Sequence, residues 1–239
     1  MNKKRVPTGV PDLDAVIEGG FPGGKSYLVT GEPGTGKSIF CIQFILKGLM
    51  EGEKAVYVAV DQKPTDILEQ AASLGWDLAK YADQKQLLIL DASPYFSARM
   101  GTAKEKEVDV QKTVADLASY VTKMNASRVV IDPVGPLIVS RDTTRHVQDY
   151  VRLLVHSLQE NMESTNLLTS YTFPGKGGVT EQGVEEFLVA GVIILKLIRM
   201  QNRFARTLLI SKMRGTAFDM MEYQFNIARD KGIALKPII

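Results

Sequence analysis

The sequence predicts an α/β fold: a mostly parallel, twisted sheet flanked by helices, with antiparallel strands at its C-terminal end. Three observations carry that expectation. Apolar, β-branched runs alternate with helix-period segments as far as about residue 190, the pattern of β-α units around a parallel sheet. Beyond that point, strand-like runs follow one another without an intervening helix, as antiparallel hairpins do. Between the first apolar run and the first long helical segment lies Gly31-Glu32-Pro33-Gly34-Thr35-Gly36-Lys37-Ser38, a G-x-x-x-x-G-K-[ST] turn in strand–turn–helix context.

The chain has 239 residues, enough for one large α/β domain (1–239) with a substantial core. Its net charge of +2 and hydrophobic content of 45% are those of an ordinary soluble protein. No block of like charge demands a nucleic-acid or membrane partner. Cys41 is the only cysteine, which excludes intrachain disulfides and cysteine-rich metal sites. Its place among Phe40, Ile42 and Phe44 favours a packed core thiol over a reactive one. The basic start Met1-Asn2-Lys3-Lys4-Arg5 runs into Val6-Pro7-Thr8-Gly9 rather than an apolar signal core. Apolar runs such as Val192–Leu195 are far too short to span a bilayer, so a cytoplasmic location is expected.

Taken in order, Asp12 begins a short apolar-periodic segment (Leu13, Val16, Ile17) and is placed to cap it. Gly19-Gly20 and Pro22-Gly23-Gly24 then turn the chain into a first strand, Tyr27–Thr30. The glycine-rich turn opens an amphipathic helix through Ile39, Phe40, Ile42, Phe44, Ile45 and Leu46. Lys54–Val60 is a second strand ending at Asp61-Gln62-Lys63-Pro64, followed by a helix to Ala72 with Thr65 or Asp66 as cap. Trp76 is expected to pack below that helix. Leu87–Leu90 is a third strand, residues 93–107 a polar surface loop, and a helix around 108–124 leads to strand Arg128–Asp132. A long helix near 143–161 precedes strand Asn166–Tyr171 and a glycine-rich loop, 173–186. Gly191–Leu197 and Thr207–Lys212 form a hairpin around the basic turn Arg199, Gln201, Asn202, Arg203, Arg206, and Tyr223–Ala228 is a final strand.

The glycine-rich turn is built for phosphate. Glycines let backbone N–H groups converge on an anion. The helix behind adds its positive dipole end and its unpaired N–H groups. In a P-loop Lys37 reaches the β/γ phosphates and the Ser38 hydroxyl coordinates Mg²⁺, with Gly31, Glu32, Pro33, Gly34, Thr35, Gly36 and Ile39 completing the cradle. A bound nucleoside triphosphate follows. Asp132 ends an apolar strand, where a second acid is expected to hold the Mg²⁺ water shell. Alone such an Asp is usually a turn residue; the P-loop upstream favours the metal role.

These motifs combine with others. Thr8-Gly9 to Gly24, GEPGTGKS, Pro64, Arg128-Val-Val-Ile-Asp132, Gly183-Val184-Glu185-Glu186-Phe187 and Lys212-Met213-Arg214-Gly215-Thr216 together resemble the KaiC-type ATPases of the RecA superfamily, over essentially the whole chain. The resemblance implies a RecA-like P-loop core, ATP with Mg²⁺, and a hexameric ring with ATP between subunits. It also implies that Lys212 and Arg214 reach a neighbour's γ-phosphate, where cations stabilise the charge that develops in phosphoryl transfer. Their alternation equally fits two solvated residues after an exposed strand. Ser170 and Thr172 lie where the superfamily senses phosphate, and would otherwise be plain strand-end polar residues.

One departure stands out. The family carries adjacent glutamates after the second strand, one of which activates water; here Asp61 and Gln62 occupy those positions, and Lys63 replaces a small residue. Asp is a methylene shorter, and Gln cannot take a proton but can orient water. The same residues could instead be a polar turn ahead of Pro64. The expectation is slow hydrolysis, or a nucleotide switch, in a homohexamer using Lys37, Asp61, Gln62, Lys212 and Arg214, with a protein partner in signalling or regulation. A recombinase paralogue on single-stranded DNA would use loops 133–145 and 173–186, which carry Arg141, Arg145 and Lys176 but also Glu181, Glu185 and Glu186. Only Tyr171 and Phe173 lie near them for base stacking. A third reading is a non-hydrolysing subunit of a larger machine, resembling the archaellum's accessory ATPase. His146 and His156 lack cysteine partners and do not suggest a metal site; Met213, Met220 and Met221 are expected to pack.

Overall fold

The computed structural model describes residues 4–92, 110–134, 152–153, 155–156, 164–172 and 185–237. Two short antiparallel strands, β1 (Arg5–Val6) and β2 (Phe21–Pro22), bracket helix α1 (Pro11–Val16). The chain then forms β3 (Ser26–Gly31), α2 (Lys37–Met50), β4 (Ala55–Ala59), α3 (Pro64–Ser73), α4 (Ala79–Asp83) and β5 (Leu87–Asp91). Next come α5 (Val110–Met124), β6 (Arg128–Asp132), β7 (Thr165–Tyr171) and α6 (Glu185–Leu188). Four strands follow: β8 (Gly191–Met200), β9 (Arg203–Met213), β10 (Glu222–Ala228) and β11 (Gly232–Pro237).

One nine-stranded sheet has the order β11-β10-β9-β8-β3-β7-β6-β4-β5. Pairing is parallel from β5 across to β8 and antiparallel from β8 to β11, as the change of pattern near residue 190 predicts. β3, β4 and β6 are buried at every position, which a parallel sheet covered on both faces requires. One face packs Tyr27, Val29 and Tyr57 against Phe40, Phe44 and Ile45 of α2. The other packs Val56, Val58 and Ile131 against Leu117 and Val121 of α5.

Several local expectations are corrected. Asp12 does not cap α1; Pro11 opens that helix after Val10, and the Asp12 carboxylate instead accepts the Leu235 N–H of β11 at 3.0 Å. In α3 the N-cap position is Lys63 rather than Thr65 or Asp66, and Asp66 at N3 accepts the Lys63 N–H at 3.0 Å. The hairpin strands run through the basic residues to a two-residue turn at Gln201-Asn202, where Gln201 takes φ 51°. Charge does not end a strand whose side chains face solvent: Arg199 pairs with Phe204 and Leu197 with Arg206. The final strand is β11, not β10. Met213 is buried, but Met220 and Met221 are 73% and 42% exposed, in the irregular segment before β10. Trp76 is half-buried against the core, with its ring close to Gly232. The loop at 93–107, most of the helix at 143–161 with His146, and the 135–145 and 173–184 portions of the two loops lie outside the described residues.

Arg128 ties α2 to the sheet. It is fully buried at the start of β6, with Nε donating to Glu53 at 2.5 Å and Nη1 to the carbonyls of Pro7 (2.7 Å) and Phe44 (2.9 Å). Its guanidinium lies 4.7 Å from the Phe44 ring centroid. Gly48 makes room for it, since a Cβ there would meet Nε at 2.2 Å. Removing a buried ion's partner strands the other charge. Arg128→Met is therefore expected to lower the unfolding free energy by about 3–5 kcal/mol, read from the urea midpoint. A loss under about 1 kcal/mol would show that Glu53 and the two carbonyls find water instead.

Candidate functional site

The C-terminal ends of β3, β7, β6 and β4 are neighbours, and the strand order reverses at β3, which places a crevice there. Gly31 ends β3 in register with Tyr171 of β7 and Leu195 of β8. A side chain at Gly31 has no room: its Cβ would lie 2.3 Å from the Leu195 carbonyl oxygen. Gly34 (φ 81°) and Gly36 (φ 112°) then take left-handed backbone, and Thr35 Oγ1 donates to the Glu32 carbonyl at 2.8 Å. Gly36 sits at the N-cap of α2 without a side-chain cap, and the first turn of the helix carries no acid. Its N–H groups are thus presented to an anion.

Lys37 folds back over this turn. Its Nζ donates to the carbonyls of Gly31 (2.7 Å) and Glu32 (3.0 Å) and lies 4.4 Å from the Tyr171 ring centroid. An ammonium has three donors, so one remains beside the ring for a phosphate oxygen. Burial pushes the Lys37 pKa down to about 8, against the opposing charge of Asp132.

Asp132 is buried at the end of β6 and accepts the Tyr57 hydroxyl at 2.6 Å and the Thr169 hydroxyl at 2.5 Å. Tyr57 and Thr169 thus hold the Asp132 carboxylate from the two strands that flank β6. Among the described residues no group of three or more His, Cys, Asp or Glu could hold a metal ion. A hydroxyl plus one carboxylate does fit Mg²⁺, which takes few protein ligands and completes its octahedron with nucleotide phosphates and water.

Asp61 and Gln62 follow β4 at the same edge. The Asp61 carboxylate accepts the Tyr171 hydroxyl at 3.2 Å; partial burial raises its pKa while that hydrogen bond opposes the rise. The Gln62 Oε1 is buried with no hydrogen-bond partner, an acceptor suited to a bound water. Ser170 is buried in β7 opposite Thr30, and Thr172 meets the turn through its backbone N–H, which donates to the Gly31 carbonyl at 3.3 Å.

Lys212 and Arg214 are not in this crevice. Lys212 is the penultimate residue of β9, opposite Val192 at the level of Leu28, and the Arg214 N–H bonds the carbonyl of Ala190, whose own N–H bonds the Ser26 carbonyl. At about 3.3 Å per residue they lie roughly 10 to 17 Å back from Gly31 along the strands. The Lys212 ammonium donates to the Glu186 carbonyl at 2.8 Å, joining the K-x-R-G-T and G-V-E-E-F motifs. Burial lowers the Lys212 pKa, and the charge of Arg214 adds to that.

Several residues in or around the site carry no sequence signal. Tyr57 and Thr169 read as strand residues and Tyr171 only as an aromatic for base stacking, and strand order alone brings them to Asp132, Asp61 and Lys37. Arg206, counted with the hairpin turn, donates to the Gly34 carbonyl at 3.2 Å. Arg5 pairs with Glu18 and bonds Thr216 Oγ1 (2.7 Å) and the Gly20 carbonyl (3.2 Å), so the N-terminal segment pins the K-x-R-G-T turn.

Comparison with known proteins agrees with this geometry. The family described as "ATPase: KaiC" matches residues 6–238. A UPF0273 protein of Pyrococcus furiosus is 34% identical over 241 residues, covering 98% of this chain and 94% of that protein. The circadian clock oscillator protein KaiC of Synechococcus elongatus is 36% identical over 235 residues, covering 98% of this chain but only 44% of the clock protein. The crystal structure of a KaiC-like protein from Pyrococcus horikoshii superposes with a TM-score of 0.84 at 34% identity, covering 98% of this chain and all of that one.

The lowered Lys37 pKa gives the site a pH signature. A lysine titrating at about 8 is mostly charged at neutral pH and mostly neutral one unit above its pKa. Affinity for a Mg²⁺-nucleoside triphosphate is therefore expected to weaken about tenfold between about pH 7 and about pH 9 by titration calorimetry. A flat profile would show either that Lys37 stays charged up to about pH 9 or that its ammonium does not meet the phosphates.

Proposed function

This chain belongs to the KaiC family of ATPases, and on that premise we propose that it is a Mg²⁺-dependent ATP-binding protein, a slow ATPase or nucleotide switch. It works as a homohexameric ring in which residues 1–239 form one unit and a neighbour completes each site. The observation that carries this reading is the separation of Lys212 and Arg214 from the P-loop of their own chain. Two cations held at the opposite end of the sheet serve a triphosphate only by being presented to another copy.

Within one site, the α2 N–H groups and Lys37 bind the phosphates, while Ser38 and Asp132, held by Tyr57 and Thr169, serve Mg²⁺. When bound, that ion supplies charge neutralisation across the β- and γ-phosphates. Asp61 offers a carboxylate to the attacking water and Gln62 its unpartnered amide oxygen. Lys212 and Arg214 of the neighbour meet the charge that develops on the transferred group. Signalling or regulation through a protein partner is the proposed setting. The chain spans less than half of the clock protein, and timekeeping is not carried over with the fold. Among the described residues no helix is long and apolar enough to cross a membrane.

Steady-state phosphate release with Mg²⁺-ATP tests this reading, using wild type beside Lys37→Ala and Arg214→Ala. Each variant is expected to lose at least about a hundredfold in turnover, with Arg214→Ala still binding ATP. Mixing the two variants should restore part of the activity, because some interfaces then pair an intact P-loop with an intact Arg214. An ATP-loaded protein that stays monomeric at high concentration in light scattering would overturn the ring. Unchanged turnover in both Asp61→Ala and Gln62→Ala would remove those two from catalysis. ATP binding without any phosphate release by wild type would leave a nucleotide-gated scaffold in place of an ATPase.

A further inference from the structure

Tyr171 touches two groups that the proposed chemistry needs and is itself assigned to neither. It ends β7 in register with Gly31, and the next residue's N–H is bonded to the Gly31 carbonyl, so the strand end is fixed against the P-loop. From that anchored position the ring lies against the Lys37 ammonium at 4.4 Å, and the hydroxyl donates to Asp61 at 3.2 Å. We propose that Tyr171 is a positioning residue of this site: its ring holds Lys37 toward the phosphates, and its hydroxyl aims the Asp61 carboxylate at the attacking water. The hydroxyl half rests on the reading of Asp61 as the residue that engages the water.

Each contact answers a specific need. Lys37 spends two donors on carbonyls of its own turn, and an aromatic face within about 6 Å attracts the remaining charge without competing for the phosphate as an acceptor would. Asp61 lies on an exposed turn beyond β4, where a short side chain has several rotamers open to it. A hydroxyl delivered from a central strand selects one of them. Because that hydroxyl donates, it also favours the ionised carboxylate against the partial burial that disfavours it. Tyr171 exchanges no proton in this role. Its own pKa is raised to about 12, by burial first and then by the Asp61 charge, so the phenol stays a donor.

The two halves separate by substitution. Tyr171→Phe keeps the ring and removes the hydroxyl; Tyr171→Leu removes both. ATP affinity is read by titration calorimetry and kcat by phosphate release, each also in an Asp61→Ala background, with thermal midpoints confirming that every variant is folded. Tyr171→Phe is expected to bind ATP like wild type while kcat falls about tenfold. Tyr171→Leu should show that same fall and bind ATP about three- to tenfold more weakly. In Asp61→Ala, Tyr171→Phe should add nothing, because the partner of the hydroxyl is already gone.

A Tyr171→Phe protein with wild-type kcat, beside an impaired Asp61→Ala, overturns the aiming role and leaves the reading of Asp61 intact. Full turnover in Asp61→Ala itself overturns both. Unchanged ATP affinity in Tyr171→Leu overturns the role of the ring, whether or not the protein hydrolyses ATP.

Discussion

Everything in this molecule is placed by β3 lying between β7 and β8, with a glycine at its end. Both neighbours run parallel to it, and at Gly31 β8 approaches so closely that a Cβ would sit 2.3 Å from the Leu195 carbonyl oxygen. With no side chain there, the backbone can leave the sheet in a tight turn and enter α2 at once. That exit sets α2 across the sheet face carrying Tyr27 and Tyr57, and it aligns the first N–H groups of the helix with the crevice. It also brings the end of β7 beside the P-loop, which is why Tyr171 meets Lys37. A larger residue at Gly31 would spread β3 from β8 and disturb packing and phosphate binding together.

The sheet then separates two kinds of chemistry by its two ends. Oxygen ligands, the P-loop and the Asp61-Gln62 pair gather where the parallel strands finish, while the K-x-R-G-T turn sits where they begin. An antiparallel β9 produces this division, since its C-terminal end must lie at the N-terminal end of β8. The distant turn is nonetheless firmly built: Lys212 is bonded to the Glu186 carbonyl, Arg214 to Ala190 through its backbone, and Thr216 to Arg5. Order of that kind is expected of groups that must be preorganised toward a ligand held elsewhere.

The parts legible in the sequence are those in which a short stretch carries its own physics. The P-loop needs glycines, a lysine and a helix start in consecutive positions, so its place between β3 and α2 was readable. So was an acid closing the run Arg128–Asp132. Strand order was not, because parallel neighbours pair across long separations and every buried strand looks alike. Tyr57 and Asp132 are 75 positions apart, Thr169 and Asp132 are 37, and Tyr171 and Asp61 are 110; the sequence marks the two acids, but nothing in it marks their hydroxyl partners on distant strands. The hairpin was read too short for a related reason. A run of arginines suggests a turn, although side chains on an extended ladder alternate into solvent without breaking it. β11 was missed because its few apolar residues count only once β10 is there to pair them.

The Asp61-Gln62 pair draws these threads together. Against a family pattern of adjacent glutamates, the sequence offers a shorter acid and a side chain that cannot accept a proton, and by itself that reads as loss. The fold redistributes the work. Tyr171 supplies from a rigid strand the orientation that a shorter carboxylate on an exposed turn lacks. The Gln62 oxygen, buried without a partner one residue on, is an acceptor suited to water. A carboxylate and an amide oxygen can fix a water through two hydrogen bonds, but only one of them can draw off its proton. On the function proposed above, a site of this composition would hold ATP and its attacking water while hydrolysing slowly. That is the behaviour a nucleotide switch requires, because the bound state must persist long enough to be read by a neighbour.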